Sequence, residues 1–136
     1  MPSIITKPTV GLSGWNTATD SLIDQWNQSI AVHTISASGT TQALNPTATG
    51  AHKLITLTAN CTFTLTGAVA GVEAWLHLIL KQDATGNRLV TWPASVKWSG
   101  GAPVLSSTPN AVDRLLVATY DGGVTYYGDM IGKGYA

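Results

Sequence analysis

From residue 32 onward the chain alternates in steps of two. Val32 to Ser36, Lys53 to Ala59 and Cys61 to Thr66 put apolar or β-branched residues on one phase and polar ones on the other. This is the pattern of strands with one face in a core. Glu73 to Gln82 is apolar on both phases, with Trp75 and Ile79 on one and Leu76, Leu78 and Leu80 on the other. It predicts a central strand covered on both faces, with Trp75 in the core. Arg88 to Trp92, Leu115 to Tyr120 and Val124 to Tyr127 complete the set, and Asp121-Gly122-Gly123 joins the last two as a hairpin. Between them, Pro93 to Asn110 contains Pro93, Gly100, Gly101, Pro103 and Pro109, a composition that permits an ordered loop or short edge segment only. Strands at this spacing without intervening helices predict an all-β fold, mainly an antiparallel sandwich of jelly-roll-like type. No internal repeat is evident.

The segment before residue 31 follows other rules. Pro2, Pro8, Gly11 and Gly14 among scattered apolar residues suit an extended arm. Thr17-Ala18-Thr19-Asp20 is then capping-box-like, and Ala18, Leu22, Trp26 and Ile30 recur every fourth residue, predicting one short amphipathic α-helix over residues 17 to 29. The expected organisation is an arm and helix over residues 1–30 and a β-sandwich module over 31–136. Trp15, Leu22, Trp26 and Ile30 are the candidate subunit-interface residues, with packing on the chain's own sheet as the alternative.

Composition narrows the partners. A chain of 136 residues suits one domain. Its charged fraction is 10% against about 25% for ordinary soluble domains, and seven Lys and Arg balance seven Asp and Glu. There is no basic footprint for nucleic acid or for an anionic membrane surface. A surface with so little self-repulsion is suited to being covered by neighbouring subunits. Cys61 is the single cysteine and shares a strand face with Phe63 and Leu65, so it reads as a buried small hydrophobe. The lack of a long apolar stretch or a signal-peptide pattern leads us to expect folding in the cytoplasm of the producing cell.

Reaction chemistry finds little to stand on. Asp121 sits in a hairpin turn, Asp83 beside a Gly-containing turn and Asp20 near a helix start, so each has a local structural role. His33, His52 and His77 show no metal-ligand spacing, although folding could bring them together. There is no Gly-x-Ser-x-Gly elbow and no Gly-rich loop leading into a helix. We therefore expect no catalytic, metal or cofactor-binding residues. Five tryptophans are the more informative group. Core packing and loop anchoring are the first reading of Trp92 and Trp98; a sugar-stacking platform with Tyr126 and Tyr127 is the second, which makes Trp98, Tyr126 and Tyr127 the candidate glycan contacts.

Leu54-Ile55-Thr56-Leu57-Thr58-Ala59-Asn60-Cys61-Thr62-Phe63-Thr64-Leu65, then Gln82-Asp83-Ala84-Thr85-Gly86-Asn87-Arg88 and Trp92-Pro93, resembles a module of tailed-phage structural proteins found at the ends of tail fibres and in minor tail proteins. The resemblance continues through Trp98-Ser99-Gly100-Gly101-Ala102-Pro103, Val112-Asp113, Tyr120-Asp121-Gly122 and Gly128. The opening Ile4 to Gly11 with Gly14-Trp15-Asn16 is similar to the beginnings of phage tail and appendage proteins. The resemblance implies a non-enzymatic virion protein, usually a homotrimer, in contact with the major capsid protein or with tail or baseplate proteins. The sequence shows no long shaft or collagen-like repeat. On that ground the first expectation is a capsid cement or decoration protein that bridges neighbouring subunits. The alternative is a short tail fibre or tail-tip adhesin that binds a host surface glycan.

Overall fold

The computed structural model describes residues 31–46 and 51–136, together with Ile23, Trp26 and Asn27. Among the described residues nine strands form: β1 Val32–Ile35, β2 Thr41–Leu44, β3 His52–Leu57, β4 Cys61–Leu65, β5 Ala70–Gln82, β6 Val90–Thr91, β7 Val96–Trp98, β8 Val112–Asp121 and β9 Tyr126–Tyr135. They make a six-stranded sheet in the order β1-β3-β5-β8-β9-β7 and a three-stranded sheet in the order β2-β4-β6.

The chain crosses between the sheets at every step from β1 to β6, so each strand lands parallel to the one two places earlier. β1, β3 and β5 run parallel in the larger sheet, and β2, β4 and β6 run parallel in the smaller. Parallel neighbours need a long crossover, usually a helix. Here the crossover is a strand of the opposite sheet, which is how the described residues build parallel ladders with so little helix. Backbone bonds carry the winding round its corners: the Ser38 amide donates to the Thr56 carbonyl at 2.9 Å and the Cys61 amide to the Leu89 carbonyl at 2.9 Å. β8 then pairs antiparallel with β5 and with β9, and β7 closes the far edge parallel to β9.

The inner faces of the two sheets share one core. Ile55, Leu57, Leu76, Leu78, Leu80, Leu115 and Val117 come from the larger sheet, and Leu44, Cys61 and Phe63 from the smaller. Burying each such aliphatic side chain contributes about 1.5–3 kcal/mol. The aromatic rim continues the core toward β7, with Phe63 edge-on to Trp92 at 5.3 Å and Trp92 edge-on to Trp98 at 4.9 Å.

The all-β expectation holds, and the hairpin through Asp121 forms as β8 and β9. The pairing is mixed rather than mainly antiparallel, for the reason just given. β5 also differs from its expected role. Ala74, Leu76, Leu78, Leu80 and Gln82 point into the core, whereas Trp75 lies on the opposite face and is 38% exposed. The second apolar phase of this strand is a partly open surface, and Trp75 is not a core residue. Ile23, Trp26 and Asn27 are helical, and the Ala31 amide donates to the Asn27 carbonyl at 3.0 Å. The remainder of the predicted helix and arm lies outside the described residues.

Candidate functional site

The motif residues that looked most like chemistry are occupied in building loops. Gln82 is buried and pairs with Arg88 as a second backbone would: its Oε1 accepts from the Arg88 amide at 2.8 Å and its Nε2 donates to the Arg88 carbonyl at 3.0 Å. Asp83 accepts from the amides of Thr85 and Gly86 and from the Arg88 guanidinium at 2.8 and 3.1 Å. The Arg88 bond, followed by the Gly86 and Thr85 amides, holds this carboxyl below the usual range despite some desolvation. Gly86 has φ +73, and a Cβ there collides with the Ser107 carbonyl oxygen, so the loop is closed to any other residue.

Asp113 is 2% exposed and accepts from the Ser106 amide at 2.6 Å, the Ser106 hydroxyl at 2.7 Å and the Gly134 amide at 2.9 Å. Asp121 accepts from the Thr125 amide at 2.9 Å and the Thr119 hydroxyl at 3.0 Å, which fixes the β8–β9 turn and lowers its pKa, the Thr125 amide acting most. Cys61 is buried, and desolvation raises its thiol pKa, the reverse of an activated nucleophile.

Accessible chemistry lies elsewhere. A cleft of about 270 Å³ opens beside β7 and β9, lined by Lys97, Trp98, Ser99, Tyr127, Gly128 and Asp129. Parallel register sets Lys97 against Tyr127 and Trp98 against Gly128. Gly128 is required there because a Cβ would stand 2.6 Å from the Trp98 ring. The indole covers Gly128 on the core side, edge-on to Trp92, with its Nε1 buried and unpartnered among the described residues. Tyr127 beside it is 56% exposed. Lys97 reaches back to the Ala94 carbonyl at 3.1 Å. The cleft offers an aromatic wall, hydroxyls, one cation and one carboxylate. Two opposed carboxylates, as glycoside hydrolysis uses, are not among its lining residues.

Of the candidate glycan contacts, Trp98 and Tyr127 come together in this cleft. Tyr126 does not join them: it is 2% exposed and belongs to the core, because strand alternation turns 126 inward when 127 faces out. Burial also raises its phenol pKa, with Asp121 adding to the effect. Among the candidate interface residues Trp26 is 50% exposed, while Trp15, Leu22 and Ile30 lie outside the described residues.

A second group shares the outer face of the larger sheet. Register places Val32, His52, His77, Leu116 and Asp129 in one row and Trp75, Ala118 and Tyr127 in the next. His52 Nδ1 lies 3.3 Å from His77 Nδ1, and Arg114 Nε donates to His77 Nε2 at 3.2 Å. Trp75 meets the His52 ring edge-on at 5.3 Å. Sequence reasoning left these histidines apart, since only the parallel register of β3 and β5 unites them. Among the described residues no group of three metal-ligating side chains occurs, and no helix is long and apolar enough to cross a membrane.

Fold and site together define a β-module whose distinctive residues hold its loops and whose accessible chemistry is a polar, aromatic surface. The family model described as "Putative phage tail fibre C-terminal domain" matches residues 42–124, more than half of the chain, from β2 into the turn after β8. The chain belongs to this family. It is a structural protein of tail-fibre type and a component of a phage virion, and the match favours the fibre alternative over the capsid-cement expectation. Comparison with curated proteins and with solved structures gave no match.

Proposed function

We propose that this chain is a non-enzymatic, self-assembling tail-fibre subunit whose β-module, residues 31–136, binds a host surface glycan. The observation that carries the reading is the cleft lined by Trp98, Gly128 and the exposed Tyr127. Sugar rings present an apolar face and a rim of hydroxyls, and the exposed Tyr127 ring flanked by Ser99, Lys97 and Asp129 answers both. Each contact is weak, so copies held in one oligomer, a homotrimer in our reading, raise avidity through effective concentration. Residues 1–30, with Trp15, Leu22, Trp26 and Ile30, serve as the attachment segment toward its own copies and neighbouring tail proteins.

The test is binding of the purified oligomer to host cells and to their extracted surface polysaccharide. Wild type binds and Tyr127→Ala binds about tenfold more weakly, a loss of about 1.4 kcal/mol in the measured binding. No binding by wild type, or equal binding by the variant, rejects the glycan reading. Gold label placed on whole particles addresses location: label on fibres is expected, and label distributed over the capsid restores the cement reading.

A further inference from the structure

The cluster on the outer sheet face has a directionality that its hydrogen bonds dictate. Arg114 can only donate, so His77 Nε2 must accept, and the proton of this imidazole therefore sits on Nδ1. That Nδ1–H then donates to His52 Nδ1, which leaves His52 Nε2 carrying the proton. Burial, Arg114 and His52, in that order, hold the His77 pKa below its ordinary value and so favour this neutral relay. The Arg114 guanidinium spends only Nε on the relay and has no ion-pair partner among the described residues. His77 therefore stands between the donors that the relay leaves unused: the remaining Arg114 N–H groups at one end and the His52 Nε2–H at the other. Trp75 stands against His52 and is exposed enough to offer its ring to a ligand.

We propose that Arg114, His77, His52 and Trp75 form a subsite for an acidic sugar, Arg114 receiving the carboxylate, the His77–His52 relay holding that guanidinium in place, and Trp75 facing the ring. This deepens the glycan reading and rests on it. The row Trp75, Ala118, Tyr127 spans three adjacent strands, so the subsite and the cleft share one face about 10 Å apart across the small side chain of Ala118. A short oligosaccharide lying across the strands touches both. A bidentate guanidinium suits a planar carboxylate, and phosphate shares the charge-assisted chemistry. The adjoining indole selects the sugar acid, because a free inorganic anion has no ring to stack on it.

The probes are an oligouronate, its carboxyl-reduced neutral counterpart and inorganic phosphate, each titrated into the full-length protein. With wild type, the oligouronate shifts the imidazole nitrogen resonances of His52 and His77 and perturbs indole fluorescence, while the neutral counterpart leaves the imidazoles unmoved. Arg114→Gln weakens oligouronate binding about tenfold or more, and Arg114→Lys, which keeps the charge and loses the fork, falls between. Equal binding of acidic and neutral oligomers, or an oligouronate affinity that Arg114→Gln does not change, overturns the proposal. So does a response to phosphate with none to the oligouronate, which marks a small-anion site. Should Arg114→Gln fail to fold, the wild-type imidazole shifts decide alone. Host-cell binding that survives Arg114→Gln but not Tyr127→Ala leaves the adhesin reading intact and removes this subsite. Cell binding lost to neither variant removes the adhesin reading while oligouronate titration still judges the subsite.

Discussion

Single residues in this protein are placed by alternation and by close approach. Tyr126 and Tyr127 were equivalent candidates in the sequence, and one step of the pleat sends the first into the core and the second into the cleft. Trp75 shows the converse error: two apolar phases imply burial on both faces, yet only the leucine phase is fully covered. Gly128 was legible as part of a motif but its reason was not, since the Trp98 ring that excludes a Cβ comes from another strand. Gly128→Ala should displace that ring and cost about 1–3 kcal/mol, with an altered tryptophan emission spectrum. Urea unfolding followed by fluorescence measures both, and an unchanged spectrum would show that the ring has room to spare.

His77 makes a second prediction at the same scale. The fold holds its pKa below about 6.5, so below that pH the unfolded chain binds more protons and stability must fall as pH drops toward the folded-state value. The lowered carboxyls of Asp83 and Asp121 lose their contribution only at lower pH, as they protonate below about 3.9. The melting temperature should therefore fall as pH drops from about 7 through about 6.5 and below, and the slope should flatten in His77→Gln. Thermal scans of both proteins across that window check it; equal slopes would assign the proton uptake to another group.

At the scale of elements, what the sequence reveals is set by how local the cause is. β3, β4 and the β8–β9 hairpin carry their own alternation and turn chemistry, and they form close to where the pattern puts them. β2, Thr41–Leu44, carries too short a pattern to announce itself and exists because β4 runs parallel beside it. β6 shrinks to Val90–Thr91 from the longer expected run because Gln82 pairs with Arg88 through its side chain, holding the chain in a loop up to that point. The segment after β7 has almost no strand of its own and is held by single anchors, chiefly Asp113 on Ser106 and Gly134. Removing that buried acceptor strands three donors, so Asp113→Ala should cost about 3 kcal/mol, and Asp113→Asn, which keeps one acceptor oxygen, about half as much. Chemical denaturation of the two variants gives the ratio. A cost below about 0.5 kcal/mol for alanine would mean that the donors find other acceptors.

For the whole molecule, the winding from β1 to β6 is the feature least visible in the sequence. Its turns differ in length and share no repeated motif, so nothing periodic betrays that Val32, His52 and His77 stand side by side. That winding also ties the sheets together: consecutive strands belong to opposite sheets, and neither can lose its order without pulling on the other. Leu78 lies at the centre of the larger sheet with 0% exposure, in the same core as Leu44 and Phe63 of the smaller. Leu78→Ala should remove about 2–5 kcal/mol, because the cavity can collapse only partly between two sheets that are each pinned by the other. The loss should appear equally in far-ultraviolet circular dichroism, which follows the strands of both sheets, and in tryptophan fluorescence, to which Trp92 and Trp98 at the rim contribute. Coincident curves with one midpoint are the expected outcome. A rim signal that keeps the wild-type midpoint while the strand signal shifts would mean that the two sheets unfold independently, and that the shared core does not bind them into one unit.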